Sequence, residues 1–67
     1  MDTKRTYLIR RSKEYDIKPG KTLKSVLAIL NILPEIVLAT RNGELILEDE
    51  IIREGDKIIL VDVISGG

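Results

Sequence analysis

One segment alone of this 67-residue chain has the spacing of an amphipathic helix: Leu23, Val26, Leu27 and Leu30 recur at i, i+3, i+4 and i+7. A lone helix can bury its apolar stripe only against a second layer, so the rest of the chain has to supply a sheet. Thr22 stands where an N-cap belongs, with a side-chain oxygen to accept from a free amide of the first turn. Asn31 and Pro34 are stop signals, because proline cannot continue the hydrogen-bond ladder and disfavours the α region at Leu33. The pattern predicts a helix of about three turns ending near Asn31.

The flanks read as strands. Residues 6–10 and 14–18 are rich in β-branched and aromatic side chains, and Arg11-Ser12-Lys13 between them is short enough for an antiparallel hairpin. Pro19-Gly20-Lys21 then breaks the pattern before the helix. Residues 36–40 read as a third strand, Asn42-Gly43 as a hairpin turn and residues 44–47 as a short fourth strand. Arg53-Glu54-Gly55-Asp56 turns the chain into a last strand over 57–64, six of whose eight residues are apolar. This order predicts an α+β fold of the β-grasp type: a mixed sheet of four to five strands packed on one helix. No internal repeat or linker divides it, so residues 1–64 form the domain and 65–67 a flexible tail.

Composition narrows the function. Eleven Lys and Arg balance eleven Asp and Glu, which leaves no net field to attract nucleic acid or an anionic membrane. With no Cys and no His, the chain has no thiolate nucleophile, no thiolate metal site and no side chain that titrates near neutrality unaided. That argues against an autonomous enzyme. The apolar stretches are far below the ~20 residues that span a bilayer, and Met1-Asp2-Thr3-Lys4-Arg5 leads into no secretory core, so a cytoplasmic location is expected.

The C-terminal Gly66-Gly67 has an obvious chemical use. Neither residue has a Cβ, so both can enter a channel too narrow for other residues. Residues 65–67 can carry the terminal carboxylate about 10 Å from the domain. On the last strand, alternation sends Ile58 and Leu60 to one face and Ile59, Val61 and Val63 to the other. If the first pair meets the helix, the second set is an uncovered docking patch beside the tail, with Tyr7 or Ile9 as contributors.

Other features carry less. Glu48-Asp49-Glu50 lacks the spacing of a calcium loop and reads as a solvated acidic turn. Arg10-Arg11 with Lys13 reads as a polar hairpin tip, too small for a nucleic-acid platform. Gly20-Lys21-Thr22 lacks the upstream glycine of a phosphate loop.

The Asn42-Gly43-Glu44 turn with the aliphatic strand from Leu45, then Ile52, Glu54-Gly55-Asp56 and the final Gly66-Gly67 together resemble the ubiquitin-like sulfur carriers, the family of ThiS and MoaD. The resemblance implies that the Gly67 carboxylate is adenylated by an ATP-dependent enzyme of the ThiF/MoeB type and converted to a thiocarboxylate. The sulfur would pass to a synthase subunit in thiamin or molybdopterin (molybdenum cofactor) biosynthesis. The resemblance also implies that the carrier itself binds no cofactor, ATP being used by the partner. Two departures stand out: Ser65 where relatives usually have glycine, and Arg41 where they often have an aliphatic residue. A protein modifier joined to target lysines through Gly67, and a noncatalytic β-grasp interaction module, are the alternatives.

Overall fold

The computed structural model describes residues 4–63. In it β1 (Tyr7–Arg10) and β2 (Lys13–Asp16) lead to helix α1 (Leu23–Ile29), a 3₁₀ turn at Pro34–Ile36, then β3 (Val37–Arg41), β4 (Glu44–Ile46) and β5 (Lys57–Asp62). The sheet order is β2-β1-β5-β3-β4, with β5 parallel to β1 and every other pair antiparallel. This is the expected mixed sheet on one helix, a β-grasp. Among the described residues no helix is long and apolar enough to cross a membrane.

Both hairpins have two-residue turns with positive φ at both positions, the arrangement that matches the right-handed twist of the strands. Asn42 and Gly43 supply φ of 55° and 82°, which asparagine tolerates and glycine, without a Cβ, adopts freely. Arg11 and Ser12 adopt the same geometry, at 52° and 66°, without a glycine. The outer strands are protected as edges: β2 is mostly charged and β4 has only three residues.

The helix is shorter than its periodicity suggests, two turns instead of three. Leu30 caps it and Asn31 turns left-handed at φ 60°. The amide of Ile32 then donates to Leu27 O at 2.9 Å and that of Asn31 to Ala28 O at 3.1 Å. This closes the helix in a Schellman motif, sealed by the buried pair Leu27 and Ile32. Leu30 is consequently only half-buried.

At the other end the three amides of the first helical turn find acceptors, and the helical ladder starts with the next. Leu23 donates to Glu50 O, Lys24 to Glu48 O, Ser25 to the Thr22 hydroxyl and Val26 to Thr22 O. The acidic segment therefore does more than face solvent, since its carbonyls cap the helix. Its continuation, Ile51-Ile52, bridges to Thr22 and exchanges backbone hydrogen bonds with Gly20 and Lys21.

The core gathers Leu8, Leu23, Val26, Leu27, Ile32, Val37, Ala39, Ile52, Ile58 and Leu60 between helix and sheet. Ile36, expected to open a strand, lies in the 3₁₀ turn that Pro34 starts, and the third strand begins one residue later. The last strand ends at Asp62, short of Val63.

Candidate functional site

β5 is the middle strand, hydrogen-bonded to β1 on one side and β3 on the other. The segment that precedes the diglycine is thus the most firmly held in the sheet. Ile58 and Leu60 face the helix and are buried, while Ile59 and Val61 on the opposite face are 39% and 52% exposed. Val63, just past the strand, is 42% exposed, and its amide donates to Ile36 O at 2.7 Å. Gly66, Gly67 and the tail expected over 65–67 lie outside the described residues.

Register shows what surrounds this surface. One row crosses the whole outer face, Glu14, Ile9, Ile59, Thr40 and Leu45, each opposite the next. A second places Val61 opposite Leu38, which is 48% exposed. Thr40 turns its hydroxyl onto Ile59 O, so its polar group is used within the sheet. The β5, β3 and β4 portion is therefore aliphatic and continuous toward Val63 and Ile36.

The β1–β2 portion is different. Arg5 donates to Glu14 at 2.7 Å and to Asp16 at 2.8 Å, and its guanidinium lies 4.3 Å from the centre of the Tyr7 ring. The hydrogen bond to Asp16, with that to Glu14, raises the affinity of Arg5 for its proton, so this charge is fixed. Tyr7 is therefore covered by a cation and forms the polar margin of the face, whereas Ile9 belongs to the aliphatic part. The docking patch expected from alternation thus has a charged border on one side.

Two arginine–carboxylate clusters close the helix-facing side of the sheet, and the sequence alone revealed neither. Arg41, on the buried face of β3, donates to Asp56 Oδ2 at 3.0 Å and to Ile51 O, and lies 3.5 Å from Glu50. Asp56 also accepts from the Arg53 amide at 2.9 Å, which closes the turn into β5. At the far end of β5, Arg10 Nε donates to Asp62 Oδ1 at 3.0 Å and Arg11 Nε donates to Oδ2. The hydrogen bond from Arg10, reinforced by that from Arg11, holds the Asp62 carboxyl below its ordinary pKa against the opposing effect of partial desolvation. The basic hairpin tip is therefore engaged with the last strand.

Residues 4–67 match the ThiS family, a match that runs through Gly66 and Gly67. The chain is also similar to the sulfur carrier protein TtuB of Thermus thermophilus, at 45% identity over 56 residues, which cover 82% of this chain and 85% of the relative. Together with the β-grasp architecture, these similarities establish that the chain belongs to the ThiS family of ubiquitin-like sulfur carriers.

Proposed function

We propose that this protein is a cytoplasmic sulfur carrier whose reactive group is the Gly67 carboxylate, and that it acts as the substrate of an activating enzyme and is not itself a catalyst. The observation that carries this reading is the extent of the family match, which includes the terminal diglycine beyond the central strand. A carboxylate is a poor electrophile because its own oxygen is a poor leaving group. Attack of that oxygen on the α-phosphorus of ATP releases pyrophosphate and leaves an acyl-adenylate. A sulfide-level nucleophile then adds to the carbonyl and AMP departs, leaving a thiocarboxylate.

The partner is an adenylating enzyme of the ThiF/MoeB type. Its docking surface is the aliphatic face of Ile59, Val61 and Val63, which is continuous with the segment leading to Gly66 and Gly67. A sulfur-accepting synthase subunit takes the product. Thiamin and molybdopterin synthesis are the pathways the sequence resemblance admits, and the relative's name, which specifies only a sulfur carrier, favours neither. Deleting Gly66 and Gly67 should leave the melting curve unchanged and abolish ATP–pyrophosphate exchange by the activating enzyme. Exchange that persists in the deletion variant would contradict Gly67 as the reactive end.

A further inference from the structure

Between the end of β2 and the C-terminal half of α1 lies a cavity of about 350 Å³. Its apolar walls are Ile17, Val26, Ile29 and Leu30, and Ile29 is 66% exposed. Lys18, Lys21 and Asp16 complete the lining. The groove borders the helix, whereas Ile59 and Val61 lie on the sheet face turned away from it, so the two surfaces share no residue.

The backbone beside the groove is open. β2 is the outermost strand and pairs with β1 alone. The Ile17 amide donates to Thr6 O at 3.1 Å, and positions in an antiparallel ladder alternate from there between inward and outward. The amides and carbonyls of Glu14 and Asp16 therefore point away from β1, along the free edge. The charges on β2 discourage indiscriminate pairing but leave this edge available to a segment of matching charge.

That matching charge is negative. Arg5 holds Glu14 at 2.7 Å and Asp16 at 2.8 Å, which neutralises the acidic side chains of the edge. No carboxylate among the described residues pairs with Lys18 or Lys21. The groove thus has aliphatic walls and a cationic margin. The opposite edge, β4, has the reverse character, since Glu44 opens it and Glu48 follows it.

We propose that this groove binds an extended peptide segment of a partner protein, aliphatic on one face and acidic at one end, which adds to β2 as a further strand. The segment's backbone bonds to Glu14 and Asp16, its alternate side chains fill the groove, and its acidic end meets Lys18 and Lys21. The inference is independent of the carrier reading, because the site leaves the outer face free and such a segment can be held while that face is docked.

The probe is a synthetic peptide that alternates isoleucine and threonine and ends in a run of glutamates, titrated into the isotope-labelled full-length chain. Amide resonances of β2 and the end of α1 should shift saturably. Hydrogen exchange at Glu14 and Asp16 should slow on binding, while Ile17, already bonded to Thr6, changes least. Lys18→Glu combined with Lys21→Glu should weaken binding about 10-fold, and high salt should weaken binding to the wild type. Ile29→Ala should weaken it several-fold. All three positions are exposed, and thermal melts verify that the variants fold. No shift at a large excess of peptide, equal affinity for a peptide ending in lysines, or shifts centred on Ile59 and Val61 or on β4 would overturn the proposal. So would concentration-dependent shifts at Glu14 and Asp16 in the chain alone, because the occupant would then be a second copy.

Discussion

Ile9 and Ile59 stand side by side across the parallel β1–β5 pair, on the sheet face turned away from the helix. Their inward neighbours in the same register, Leu8 and Ile58, are completely buried. One residue of spacing thus separates a side chain that holds the fold together from one that is free to meet a partner.

The two faces should separate in experiment. Ile58→Ala and Leu60→Ala should each cost about 2 to 5 kcal/mol, because they open a cavity beneath the helix. Ile59→Asp and Val61→Asp should shift a urea midpoint little and weaken binding to the activating enzyme markedly. The reverse order, with the outer variants the less stable pair, would mean that the outer face is covered in the native protein.

The turns make a reciprocal prediction. Ser12→Gly removes a Cβ from a left-handed residue and should stabilise the protein by about 1 kcal/mol, while Gly43→Ala should destabilise it by a similar amount. An added Cβ at Gly43 has open space around it, so the loss would reflect backbone conformation alone. Thermal melts of the two variants decide it.

This contrast also shows what the sequence disclosed and what it withheld. Asn42-Gly43 announced its turn, Thr22 its cap and the alternation of residues 58–61 its two faces, because each is a local preference written in adjacent residues. The Arg10–Asp62 and Arg41–Asp56 pairs join residues far apart in the chain, and no local pattern marks them. The burial of Ile52 was hidden for the same reason: its segment belongs to no strand ladder and is recruited by hydrogen bonds to Gly20 and Lys21. The third helical turn does not form because Leu30 keeps the apolar spacing while Asn31 ends the helix.

The structure gives Arg41 two hydrogen-bond acceptors, Asp56 Oδ2 and Ile51 O, and an ion pair with Glu50. Asp56→Ala should cost about 1 to 3 kcal/mol, since it strips a partner from the Arg41 guanidinium and opens the turn bond to the Arg53 amide. Arg41→Leu should cost less, because a leucine keeps the apolar packing of the buried face and Asp56 retains that bond. Denaturant midpoints of the two variants, compared at equal m, test the order.

The Asp62 cluster gives a pH dependence with a definite sign. Because Arg10 and Arg11 lower the folded-state pKa of Asp62, the unfolded chain takes up the proton first as pH falls. The stabilisation is complete above the unfolded value of about 3.9 and is lost as pH drops through the folded one. Wild type should therefore exceed Asp62→Asn in melting temperature near neutrality, and the gap should shrink below about pH 4. A gap that widens on acidification would reverse the assignment.

The most direct test of the account is the intact mass of the full-length chain after incubation with a ThiF/MoeB-type activating enzyme, ATP and a sulfur donor. The account predicts the mass increase of one oxygen replaced by one sulfur, located by fragmentation at Gly67 and absent from the chain lacking Gly66 and Gly67. An unchanged mass, or sulfur found anywhere but the terminal carboxyl group, would contradict it.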